Sequence, residues 1–218
     1  VEDFIKVLSN HKEICKKCGG FCCKKSGCDY WPSDLPDKTY KGILKFLENG
    51  KVSIVAMMNF KRINGKLCNF PFLYLRERNT GRDIVDLLSM KTPCSNLTEH
   101  GCNYTYEERP SGGKNLTPSK DGLCYPKEDN LQKVLEWSPY QKQLEKIVKR
   151  YTGLSIDNKI KEDVVTLLTD INEENFKNVS ELEIIDVKRM LPMLIECYKE
   201  QAEQVLNNSN KLLVKNNR

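Results

Sequence analysis

Five cysteines crowd residues 15–28, in the run C-K-K-C-G-G-F-C-C-K-K-S-G-C. Two thiols separated by two residues can grip one metal ion, and Gly19-Gly20 lets the backbone fold tightly around it. The chain has 10 cysteines in 218 residues, and metal binding, disulfides and free thiols are the readings open to them. A chain of this length buries a core without covalent staples, unlike small secreted scaffolds. Its N-terminus, V-E-D-F-I-K-V-L-S-N-H-K, shows no long apolar run, basic leader or small-residue cleavage site. No stretch approaches the length of a membrane span. The expectation is a cytoplasmic, reducing location without a membrane partner, where clustered cysteines serve as metal ligands rather than disulfides. The sequons at Asn96 and Asn115 matter only outside the cell. The net charge of +5 is mild and falls further once ligand thiols lose protons, so it argues little for nucleic acid.

Periodicity predicts a short amphipathic helix over 2–14, leading into the cysteines. A turn-rich stretch follows over 31–36. A helix is expected over 38–48, with Ile43, Leu44 and Leu47 inward and Asn49-Gly50 as its stop. Residues 51–60 and 67–75 read as two strands joined by an Asn64-Gly65 hairpin turn. Pro71 marks the second as an edge or bulged strand. Residues 94–128 read mostly as loop, ordered by a ligand or metal. Beyond Asn130 the pattern is helical. One helix over 132–151 carries Val134, Leu135, Leu144, Ile147 and Val148 and breaks at Pro139; another covers 159–171. A last helix starts from the capping box Ser180-Glu-Leu-Glu183 and meets a kink at Pro192; a polar tail runs over 207–218.

Eight thiols are candidate ligands: Cys15, Cys18, Cys22, Cys23, Cys28, Cys94, Cys102 and Cys124. They suffice for two tetrahedral four-thiolate sites, or for one iron–sulfur (4Fe–4S) cluster with spares. Adjacent Cys22 and Cys23 point apart, so one binds a first metal while the other serves a second site or packs inward. Cys94-x7-Cys102 reads as a small loop closed at its ends, with Gly101 allowing the turn. A thiolate-only donor set favours zinc or iron–sulfur over magnesium or calcium. Cys68 and Cys197 read as packed thiols, and His11 and His100 as solvated side chains. Lys16, Lys17, Lys24 and Lys25 either offset thiolate charge or form ordinary surface. With Tyr30 and Trp31 as stacking groups they would make a zinc-knuckle-like nucleic-acid surface. Asp29 and Asp34 are carboxylate ligands, acceptors behind the ligands, or caps. Gly112-Gly113-Lys114 lacks phosphate-loop spacing.

The order C-x2-C-G-G-x-C-C, then P-C-x7-C-x3-Y-E-E-R-P, then a late cysteine, resembles the YkgJ-type cysteine-cluster proteins over about residues 15–126. That family is described as zinc- or iron-chelating. The resemblance carries over Cys15, Cys18, Cys22, Cys23, Cys94 and Cys102 as ligands. The family's R-P-x-x-C is absent here: Arg109-Pro110 leads into Ser111-Gly112-Gly113. Either an insertion displaces the last ligand to Cys124, or that ligand is lost. Flagellin lysine N-methylases, which are larger iron–sulfur proteins, resemble this chain in the cysteine cluster alone.

The fold expected is α+β: a metal-stabilised, cysteine-rich N-terminal lobe with a β-hairpin over 1–128, and a mainly helical C-terminal region over 129–218 packed on it. The function expected is to hold zinc or an iron–sulfur centre through thiolates, in a structural, redox or catalytic role. The alternatives are a zinc-stabilised module binding nucleic acid or protein, an iron–sulfur-dependent group-transfer or redox enzyme, and a metal-trafficking or thiol-redox protein.

Overall fold

The computed structural model describes residues 15–16, 19–20, 23, 27–78, 83–89, 94–118, 124–126, 131–171 and 185–199. The helix expected over 2–14, the capping box at 180–183, the tail, Cys18, Cys22, His11 and three of the four flanking lysines lie outside them.

The architecture is mixed α+β. A three-stranded antiparallel sheet in the order β1-β5-β2 is built from β1 (Asp29–Tyr30), β2 (Val52–Met57) and β5 (Phe72–Glu77). Between β2 and β5 the chain runs out and back as a second ladder, β3 (Phe60–Ile63) against β4 (Lys66–Asn69). The turn is Asn64-Gly65, with φ of 49° and 80°, the pair of positive values that a two-residue hairpin matching strand twist requires. The two expected strands are thus four. The ladder breaks where Pro71 cannot donate a bond. There Phe70 N donates to the Asn59 carbonyl at 2.7 Å, and the Asn59 amide donates to the Phe70 carbonyl at 3.1 Å. Pro71 therefore precedes β5 rather than interrupting it, and β5 is the central strand, not an edge.

Helix α1 (Tyr40–Leu47) starts at Thr39, whose hydroxyl accepts from Gly42 N, and buries Ile43 and Leu47 on the sheet. The stretch expected as loop contains short paired elements: β6 (Leu97–Thr98) with β7 (Gly101–Cys102), α2 (Ser111–Lys114), and β8 (Leu116–Pro118) with β9 (Cys124–Pro126).

The helical part divides as the proline implies. Helix α3 (Leu131–Trp137) gives way to a 3-10 turn at Ser138–Tyr140, and α4 (Gln141–Thr152) continues to a left-handed Gly153. Helices α5 (Ile156–Ile171) and α6 (Ile185–Cys197) follow. The face of α3 differs from the expectation. Leu135 is 59% exposed, and Trp137 and Lys133 turn inward. Trp137 is fully buried, and its indole N–H donates to the Tyr30 carbonyl at 2.8 Å. Gln141, at the start of α4, docks on the stretch of β5 beyond the reach of the short β1. Its side-chain amide accepts from Leu73 N at 2.9 Å and donates to Leu73 O at 2.8 Å, replacing a neighbouring strand. One hydrophobic core joins α1, the sheet and the helices, through Ile43, Ile54, Leu75, Trp137, Leu144 and Val164 among others. Each such side chain contributes about 1.5–3 kcal/mol by its burial. Among the described residues, no helix is long and apolar enough to cross a membrane.

Candidate metal centre

The first half of the site begins at a helical turn holding Cys15 and Lys16. Cys15, Cys23, Cys28 and Cys94 are all buried, and Cys102 is half-buried. None of the described cysteines is joined in a disulfide. The two halves meet through the backbone. Cys94 N donates to the Cys23 carbonyl at 2.9 Å, and Gly20 N turns back to the Cys15 carbonyl at 3.3 Å.

Two glycines permit this approach. Gly20 has φ of +73°, and a Cβ there would stand 2.2 Å from the Leu97 side chain of β6. Gly101 has φ of +96°, and a Cβ there would stand 2.9 Å from the Cys15 carbonyl oxygen. An L-side chain at either position meets both a disfavoured backbone and an occupied space.

At the centre is Cys23. Its thiol hydrogen-bonds with Cys94 and with Cys102. That bond is the main reason the Cys94 thiol lies below its ordinary range, against the opposing effect of burial. It also brings Cys102 down to about 6; burial opposes this, and the Arg109 guanidinium adds to the lowering. The Cys94–Cys102 hairpin thus closes on a thiol from the first half, with Leu97 in register with Cys102.

Arg109 supplies positive charge. It is 7% exposed, and its Nη2 donates to the Cys15 sulfur at 3.5 Å. Burial works against its charge, but Cys102, Cys15 and Cys28 outweigh that and hold it protonated above the usual arginine range. Cys28 lies under α2, where a Cβ on Gly113 would stand 2.8 Å from its sulfur. That packing gives Gly112-Gly113-Lys114 a structural role. Cys124 is half-buried on β9, in register with Pro118.

A buried carboxylate stands behind Cys94. Glu77, fully buried at the end of β5, accepts from the hydroxyls of Tyr30 and Ser95 and from the Asn96 amide, the last at 2.5 Å. It ties the sheet to the Cys94 loop, and its charge opposes ionisation of Cys94. Sequence reasoning missed it; a glutamate ending a strand carries no distinguishing signal. Arg109 was visible only as a letter of the Y-E-E-R-P motif.

Other candidates find different places. Tyr30 is buried, edge-on to Phe46 with ring centroids 5.1 Å apart, so it is not a base-stacking surface. Asp29 pairs with Arg76 at 2.6 Å and Lys133 at 2.7 Å, which occupies both of its oxygens. Asp34 accepts from Trp31 N and from the backbone and hydroxyl of Ser111, so it caps both its own turn and α2. His100 is exposed beside Glu99. Cys68 and Cys197 lie where β4 meets α6, with the Cys197 thiol donating to the Leu67 carbonyl at 3.4 Å.

Among the described residues, no set of three or more His, Cys, Asp or Glu side chains is arranged to hold an ion. What those residues show is pairwise, Cys23 with Cys94 and Cys23 with Cys102, beside an arginine shared with Cys15 and Cys28. Comparison with family models, curated proteins and solved structures finds no match to this chain.

Proposed function

We propose that this protein binds a metal centre, zinc or iron–sulfur, through thiolates drawn from both halves of its cysteine-rich region. The observation that carries the reading is the meeting of Cys23 with Cys94 and Cys102, residues 71 and 79 positions further along the sequence. A purely structural need to fill space does not call for buried thiols with lowered pKa values beside a buried arginine. Thiols poised to ionise suit a site whose ligands must lose protons to bind. Glu77 adds negative charge next to Cys94, so thiolates there need a compensating cation. Sulfur donors select zinc or iron–sulfur. When bound, the centre would supply either a structural clamp or redox and Lewis-acid chemistry. The proposed ligands, chosen for their donor chemistry, are Cys15, Cys23, Cys28, Cys94 and Cys102, with Cys18, Cys22 and Cys124 as the remaining ones. The resemblance to YkgJ-type proteins points the same way.

The test is anaerobic purification with elemental analysis, acid-labile sulfide determination and a visible spectrum. Iron with sulfide and a brown colour supports an iron–sulfur centre. One or two equivalents of zinc in a colourless protein supports a zinc site. Protein without metal and with paired cysteines refutes the reading.

A further inference from the structure

Strand β5 has two chemically different faces at its C-terminal end. Glu77 points toward the thiols, and alternation places Tyr74, Arg76 and Arg78 in a row on the other face. Charges follow one another along that row. Lys133 lies 4.0 Å from the centre of the Tyr74 ring and donates to Asp29, and Asp29 in turn accepts from Arg76 Nε. Next comes Ser89, whose hydroxyl accepts from both guanidinium groups: from Arg76 Nη1 at 3.1 Å and from Arg78 Nη2. Arg78 Nη2 also donates to the Ser89 carbonyl at 3.0 Å.

The row is incomplete at Arg78. This residue is 1% exposed, yet its Nε and Nη1 find no acceptor among the described residues. A buried arginine with unmet N–H groups is costly unless something accepts from it. Asp86 attracts Arg78, while Arg76 repels it; burial is the largest effect, and its pKa falls to about 10. Ser89 adds a further donor. Its oxygen already accepts two bonds, so the hydroxyl proton is available to give. Ser89 also holds φ of +58°, a conformation rare for a serine, which brings its hydroxyl and carbonyl to the arginines together. Two donors on a buried cation with no acceptor among the described residues, beside a serine hydroxyl, call for an acceptor with several lone pairs and negative charge.

We propose that Arg78, Arg76 and Ser89 form a binding site for an oxyanion, the carboxylate or phosphoryl group of a small molecule, on the face of β5 opposite Glu77. The site is separate from the thiols and does not depend on the metal reading.

The full chain, as purified, is titrated with inorganic phosphate and with sodium acetate against sodium chloride at constant ionic strength. Thermal unfolding and calorimetric binding are the readouts. A ligand that binds only the folded state raises Tm in a saturable way. The proposal predicts such a rise for phosphate or for acetate and none for chloride; which anion works identifies the phosphoryl or carboxylate source. Ser89→Ala should weaken binding about tenfold, the worth of one hydrogen bond to a charged group. Arg78→Lys should weaken it while keeping the charge, and Arg78→Met should abolish it. If Arg78→Met does not fold, the other two variants decide. A Tm rise shared equally by wild type, Ser89→Ala and Arg78→Lys is general salt stabilisation and overturns the proposal, as does the absence of any response beyond chloride.

Discussion

Replacing Asp29 with asparagine tests how the helical region is fastened beside the cysteines. Asp29 follows Cys28 directly and sits on β1, Arg76 on β5 and Lys133 on α3. The two ion pairs measure 2.6 and 2.7 Å, and the side chains of Arg76, Lys133 and Asp29 are 13%, 7% and 19% exposed. Asparagine keeps the shape but removes the charge, and its amide nitrogen faces one of the two cations as a second donor. Removing one partner from a mostly buried pair costs about 3–5 kcal/mol, because an uncompensated charge remains. Here two cations remain, so the upper part of that range is expected. Urea unfolding of wild type and Asp29→Asn, with equal slopes, gives the difference from the midpoints. Adding Lys133→Met to Asp29→Asn should recover part of the loss, since it removes one of the stranded charges. A loss under about 1 kcal/mol, the range of exposed ion pairs, would refute the argument, and so would a double variant less stable than Asp29→Asn alone.

Other expectations follow from the same contacts. Gln141→Leu removes both bonds to Leu73 and leaves a strand N–H and carbonyl without partners. It should cost about 2–4 kcal/mol in urea unfolding, and a loss under 0.5 kcal/mol would show that water takes over those groups. Gly101→Ala places a methyl group 2.9 Å from the Cys15 carbonyl in a backbone conformation that alanine disfavours. Metal content of the purified protein should fall, and undiminished stoichiometry would mean that the two halves need not meet so closely. Asp163 is held above its usual carboxylate range by burial, despite its bonds to Lys159. A raised carboxylate pKa lowers stability as pH rises through the folded value and has no effect below the unfolded one. The stability of Asp163→Asn relative to wild type should therefore be more favourable at pH 7 than at pH 4; the reverse order in paired urea curves would contradict this.

Local chemistry made part of the fold legible. Asn64-Gly65 meets the backbone demand of a tight hairpin, Pro139 forces the break between α3 and α4, and Asn49-Gly50 ends α1. The errors lie where tertiary contacts override local preference. Leu135 is apolar and exposed, while Lys133 is charged and buried, because Asp29 and the Tyr74 ring lie beneath α3. Pro71 suggested an edge strand, but the ladder breaks just before β5, which leaves that strand whole and central. At the candidate site, the cysteine pattern marked which residues to follow, yet spacing could not say which thiol of one half meets which of the other. Pairing Cys23 with Cys94 and Cys102 depends on the close approach at Gly20 and Gly101, which is a property of the folded chain. Glu77 is recognisable only from the donors around it, contributed by β1 and the Cys94 loop.

The central claim is that thiols from both halves hold one metal centre, and Cys23 is where the halves touch. Metal and acid-labile sulfide should be measured in anaerobically purified wild type, Cys23→Ser and Cys197→Ser, with a visible spectrum of each. The account predicts metal in the wild type, the same content in Cys197→Ser, and a clear loss in Cys23→Ser. Equal metal in Cys23→Ser and wild type, or none in any of the three, would contradict it.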